Sequence, residues 1–151
     1  MRHVHRTMVL MMFACAGSAA ADPCLLTPAE LHAATGREFV AGTPGQDIVT
    51  QEPHCTYRET KNAKRHVMVR ILTQQAPKRF EASKRTVHFG KDPIDLEGVG
   101  EAAFYSGTTA GVLLGEQAII LSTLRRASDP KIDRSLVAEL LRTAAERLKL
   151  P

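Results

Sequence analysis

Few side chains in this sequence stand at spacings that could do chemistry, and each has a competing structural role. Ser128-Asp129-Pro130-Lys131 puts a serine three residues before a lysine, where a neighbouring amine lowers the cost of deprotonating a nucleophile. The Lys-Thr-Gly and Ser-Asp-Asn elements that complete such a site are missing, and helix capping accounts for the tetrapeptide. Gly98-Val99-Gly100-Glu101-Ala102-Ala103 has the spacing of a dinucleotide fingerprint. That motif needs a strand before it and a helix after it, so that phosphate meets a helix N-terminus. Here Lys91, Asp92, Pro93, Asp95 and Glu97 precede it, so it reads as a flexible approach to a strand. There is no Gly-x-Ser-x-Gly elbow, no Cys-x-x-Cys and no histidine pair four residues apart. No catalytic residue, metal ligand or cofactor site is therefore assigned.

The cysteines have a plainer use. Arg2 and Arg6, the apolar run from Met8 to Ala16 and the small residues Ser18-Ala19-Ala20-Ala21 have the layout of a secretory signal peptide. The apolar run is well short of the roughly 20 residues that span a bilayer, and no transmembrane segment is expected. Cleavage near Ala21 would leave a single domain over 22–151 in the periplasm or outside the cell. A lipid anchor at Cys15 is the alternative, with Met12 and Phe13 unfavourable for lipidation. In that compartment Cys24 and Cys55 are expected to form a disulfide. The competing reading, a reactive or metal-binding thiol beside His54, suffers because adjacent strand residues point to opposite faces.

Charge is uneven. The chain holds 20 Lys and Arg against 16 Asp and Glu, and loss of Arg2 and Arg6 would leave 18 against 16. Residues 58–91 nevertheless carry ten cations against Glu59 and Glu81. Arg58, Lys64, Arg70, Lys78, Arg79, Lys84 and Arg85 are the candidate patch for an anionic partner, accompanied by Lys61, Arg65 and Lys91. The alternative is that they are the solvated faces of a hairpin and a helix. Nucleic acid is not expected as a partner, because aromatic stacking residues are few.

The elements that must position these groups follow from local signals. Thr27-Pro28-Ala29-Glu30 is a helix start with a capping box, stopped at Gly36, with Leu31 and Ala34 inward. Residues 37–51 read as a loop. His54–Arg58 and Arg65–Thr73 read as strands, the second with Val67, Val69 and Ile71 at period two. A helix opens at Pro77, with Phe80 and Val87 on one face, and ends by Gly90. Ala102–Tyr105, Val112–Leu114 and Ala118–Leu124 read as strands, the last two joined by a Gly115-Glu116 turn of the Gly-first type. The most apolar of these, Ala118–Leu124, should be central. Asp129-Pro130 is predicted to cap a last helix with Ile132, Leu136, Leu140, Ala144 and Leu148 as its stripe, widened by Val137 and Leu141. The order α-β-β-α-β-β-β-α predicts an α+β domain with a mainly antiparallel sheet of about five strands, packed by helices.

Asp22-Pro23-Cys24-Leu25-Leu26-Thr27, the later Cys55-Thr56-Tyr57 and the run Gly98 to Tyr105 resemble a family of small exported bacterial domains. Members begin Asp-Pro-Cys-x-Leu-Leu-Thr, many are actinobacterial lipoproteins of unknown function, and some are similar to the PsbP-like α/β/α fold. The resemblance implies the disulfide and the fold, and no catalytic residues. The expected function is a non-catalytic binding domain for an envelope component or protein. The alternative is a proteinaceous inhibitor of a secreted or envelope hydrolase.

Overall fold

The computed structural model describes residues 22–86 and 92–149. The signal-peptide reading, Cys15, Val87, Gly90 and Lys91 lie outside them. The Thr27 hydroxyl accepts from the Glu30 amide at 3.3 Å, and the Glu30 carboxylate accepts from the Thr27 amide at 2.7 Å. This reciprocal box starts α1 (Pro28–Thr35), and Gly36 ends it with a left-handed φ of 70°. Leu31 and Ala34 are its buried residues, as the spacing predicts.

Seven antiparallel strands form one sheet: β1 (Thr43–Gln46), β2 (Pro53–Arg58), β3 (His66–Leu72), β4 (Ile94–Asp95), β5 (Ala102–Tyr105), β6 (Ala110–Leu114) and β7 (Gln117–Ser122). Their spatial order is β1-β2-β3-β7-β6-β5-β4. Two strands exceed the sequence expectation. The segment read as a loop over 37–51 contains β1, which pairs with β2 as an edge strand. Its Pro44 and Gly45 conceal it in the sequence, and an edge is where a sheet tolerates proline. The charged segment before Gly98 contributes the two-residue β4, paired with Tyr105 and Phe104. The element order is therefore α-β-β-β-α-β-β-β-β-α.

β7 is the central strand, as its composition predicts. Ile119 and Leu121 point into one core and Ala118 and Ile120 into the other. β6 reaches it through Gly115-Glu116, with Leu114 opposite Gln117 and Gly115 at a φ of 62°. The larger core packs α1 and α3 (Arg134–Lys149) against Val67, Val69, Val112, Ile119 and Leu121. α2 (Ala76–Arg85) lies on the other face, where Phe80 meets Phe104 edge-on with centroids 5.3 Å apart.

The last helix departs from its predicted start. It begins at Arg134, and Asp133 Oδ1 accepts from the Ser135 amide at 2.7 Å. Asp129 is unable to cap it because an arginine holds its carboxylate, as described below. The predicted stripe residues Leu140, Ala144, Val137 and Leu141 are buried, joined by Ala138 and Ala145, while Leu136 is exposed.

The N-terminal segment is held from two sides. Cys24 and Cys55 are disulfide-bonded, with Cα atoms 5.0 Å apart. Beside that bond, the buried Tyr57 hydroxyl donates to the Leu26 carbonyl at 2.6 Å and accepts from its amide at 3.1 Å. From α3, Arg147 donates to the Leu25 carbonyl at 2.8 Å and to both Glu30 carboxylate oxygens at 2.7 and 2.5 Å. The disulfide closes a loop with a sequence separation of 31. Its replacement by two serines (Cys24→Ser with Cys55→Ser) is expected to cost about 3.5–4 kcal/mol on the chain-entropy model. Denaturant unfolding of both forms checks this, and an unchanged midpoint would contradict the role of the bond.

Candidate functional site

Arg70 is a cation in the body of a sheet. Val67, Val69 and Ile71 face the α1/α3 core, so the two-residue period turns Arg70 to the opposite face, between His54 and Ile120 in register. There it lines a cavity of about 460 Å³, bounded by the end of α2, β7 and the β5–β6 turn. Arg125 and Arg126 join it from the segment after β7. None of the three arginines forms an ion pair among the described residues. The remaining lining is Ile120 and hydroxyl residues: Ser83 and Thr86 of α2, Thr108 and Thr109 of the turn, and Ser122 and Thr123.

Two of these groups are buried without a hydrogen-bond partner among the described residues, Arg70 Nε and Thr108 Oγ1. Such an unmade bond costs about 1–3 kcal/mol, more for a charged group. Arg125 is fixed instead. Its Nε donates to the Asp129 and Pro130 carbonyls at 3.0 and 2.9 Å, which orients the guanidinium without neutralising it. At the cavity lip Thr123 adopts a left-handed φ of 58°, strained for a β-branched residue. Its hydroxyl donates to the His66 carbonyl at 2.6 Å. Strain of this kind costs on the order of 1–3 kcal/mol and gathers at functional sites.

Two ion networks place the cavity walls. Glu52 is 5% exposed and accepts from the Thr73 and Gln74 amides at 3.0 and 3.3 Å and from Arg79 Nη1 at 2.5 Å. That clamps the β3–α2 link and the first turn of α2. Burial works to raise the Glu52 pKa, but Arg79 and the two amides more than offset it, and the net direction is down. The second network is Arg37, Glu59, Arg65 and Asp129. Arg65 Nη2 donates to both Asp129 oxygens at 2.7 and 2.6 Å. Arg37 bonds Glu59 and the Leu124 carbonyl. Arg65 Nε lies 3.1 Å from Glu59 Oε1 without being aligned to donate to it. Burial also works to raise the Asp129 pKa; the Arg126 amide and Arg65 outweigh it and hold the pKa down. Asp129 is thus the anchor of the segment that carries Arg125 and Arg126.

The sequence-predicted basic run is divided by the fold. Arg79 is paired with Glu52, Lys84 with Asp95 at 2.6 Å, and Arg65 with Asp129 at 2.6 Å. Arg58 donates to the Ala63 carbonyl at 3.0 Å. Lys61, Lys64, Lys78 and Arg85 are exposed, and Arg70 alone of the seven candidates lines the cavity. Sequence reasoning missed Arg125 and Arg126, which lie 55 and 56 positions after Arg70 in the chain. The available signal was an unpaired Arg-Arg directly after the most apolar strand. Gly98 to Ala103 leads into β5 with no helix after it, so it is no dinucleotide site. Ser128 to Lys131 forms part of a turn in which the Arg126 amide donates to Asp129 at 2.9 Å.

Chemically, the cavity offers guanidinium and hydroxyl donors to an anion. Its described lining holds no histidine or carboxylate to act as a base toward Ser83 or the threonines. Among the described residues, no group of three His, Cys, Asp or Glu is placed to hold a metal ion. No described helix is long and apolar enough to cross a membrane. No protein family, curated protein or solved structure matches this chain.

Because the folded-state pKa of Asp129 is lowered, its stabilisation is complete above the unfolded value near 3.9 and is lost as pH falls through the folded value. Asp129→Asn is expected to cost about 2–4 kcal/mol at pH 7. It should also show a shallower loss of stability between about pH 4 and pH 2. Denaturant unfolding across that range checks both, and parallel curves for the two forms would contradict the pairing.

Proposed function

We propose that this protein is an exported binding domain that recognises an anionic group of an envelope component through the cavity around Arg70. The carrying observation is that Arg70, Arg125 and Arg126 line one cavity with no ion pair among the described residues and no described carboxylate in its lining. An oxyanion in the cavity would accept charge-assisted hydrogen bonds from these guanidinium groups. Export is supported by the Cys24–Cys55 disulfide together with the signal-like first 21 residues. The Asp22-Pro23-Cys24 opening supports kinship with the small exported domains it resembles.

Inorganic phosphate is the simplest probe. Calorimetric titration is expected to give saturable, one-to-one binding. Arg126→Ser, at an exposed position, should weaken it at least fivefold, and Arg70→Gln at least tenfold. Unchanged affinity in both folded variants would overturn the assignment.

A second reading, inhibition of a secreted hydrolase, is favoured by the β1–β2 hairpin tip. Ile48 and Val49 are 90% and 84% exposed there. Asp47 Oδ1 holds the turn by accepting from the Val49 and Thr50 amides at 2.9 and 2.8 Å. A rigid turn presenting two aliphatic side chains loses little entropy on binding a partner's cleft. On this reading the protein should inhibit a secreted hydrolase stoichiometrically, and Ile48→Asp with Val49→Asp should abolish the inhibition. Full inhibition by that variant would remove the tip from consideration.

A further inference from the structure

Arg125 faces two cavities. On the far side of the β5–β6 turn lies a second one, of about 400 Å³, which Arg125 lines together with Lys131 and Arg134. Ser106 and Gly107 of the turn face this second cavity, while Thr108 and Thr109 face the first. The turn is held by the Tyr105 hydroxyl, which donates to the Gly107 carbonyl at 3.1 Å. Arg125 is the lining residue the two cavities share; Gly107, whose φ of 88° calls for glycine, lies beside its guanidinium and places no side chain there.

The second cavity differs in character from the first. Ile94, Tyr105 and Ile132 give it apolar walls beside Arg125, Lys131 and Arg134. Its acids are Asp92 and Asp133, and Asp133 spends its carboxylate on the Ser135 amide and hydroxyl at 2.7 and 2.6 Å. Neither Lys131 nor Arg134 forms an ion pair among the described residues. Apolar walls beside a cation suit a sugar ring, whose C–H face packs while its anionic substituent pairs. A single headgroup or free phosphate would use only the first cavity.

We propose that the ligand is an acidic glycan chain that fills both cavities and passes between them beside Gly107, with Arg125 serving an anionic group from either side. This rests on the assignment of the first cavity as an anion site. Linking two anionic repeats makes the second contact intramolecular, so affinity should rise with chain length until both cavities are occupied.

The test titrates the full protein with oligogalacturonates and with phosphodiester-linked glucosyl phosphate oligomers, each from one to six repeats. The two arms distinguish a carboxylate from a phosphodiester source of charge. At least one series is expected to bind tenfold or more tightly at six repeats than at one. Lys131→Ser with Arg134→Ser should remove that gain while leaving inorganic phosphate affinity within twofold. Absence of a length effect in both series, with phosphate still bound, overturns the two-cavity proposal and leaves the single anion site standing. Binding to phosphatidylglycerol vesicles without any gain along either oligomer series also overturns it, in favour of a lipid headgroup. Failure to bind phosphate at all defeats the underlying site instead.

Discussion

Two arginines and two carboxylates meet at one end of the sheet, and the rest of the molecule is arranged around their neutrality. Arg37 comes from the link after α1, Glu59 and Arg65 from the turn between β2 and β3, and Asp129 from the segment between β7 and α3. Each is largely shielded from water, so none can lose its partner cheaply. Such a group adds little net stability compared with a well-packed apolar substitute, but removing one member strands the others. What it supplies is position. Three connections are brought to a common point: the link after α1 already bridges the Glu59 segment at Phe39, the Asp129 segment is drawn in through Arg65, and Arg37 fixes the Leu124 carbonyl directly before Arg125.

The opposite demand appears in the cavity beside it. There Arg70, Arg125 and Arg126 gather without an ion pair among the described residues, and Thr123 accepts a strained backbone at the lip. The four charges of the first group balance one another, whereas the three cavity arginines face no described carboxylate, and the proposed anion site rests on that contrast. The disulfide and the Tyr57 hydroxyl bear on this indirectly. They hold the N-terminal segment on β2, and Arg147 fastens the same segment to α3, which braces the sheet from the face opposite Arg70.

The sequence made local chemistry legible and long-range pairing much less so. The α1 capping box, the Gly36 stop, the Gly115-Glu116 hairpin, the central β7 and the Cys24–Cys55 bond were all readable, because each depends on a few adjacent residues or on cysteine arithmetic. β1 was hidden because a Thr-Pro-Gly-Gln edge strand has neither β-propensity nor alternation. The start of α3 was misplaced because Asp129-Pro130 is a good cap signal, whereas the Arg126 amide and Arg65, 64 residues away in the chain, take that carboxylate. The candidate site was legible in one residue, Arg70. Counting cations along 58–91 treated neighbours in sequence as neighbours in space, whereas Glu52 and Asp95 take Arg79 and Lys84 away. The arginines that complete the cavity come from residues 125 and 126, outside the basic run.

The most direct measurement is nitrogen-15 NMR of the arginine side chains and backbone amides during titration with inorganic phosphate. If the cavity is the anion site, the Arg70 Nε resonance moves saturably, together with the Thr108 amide and those of Ser83 and Thr86, while Arg79 and Arg147 stay still. Shifts that never saturate, or that fall on Lys64, Lys78 and Arg85 and leave Arg70 unmoved, would contradict it.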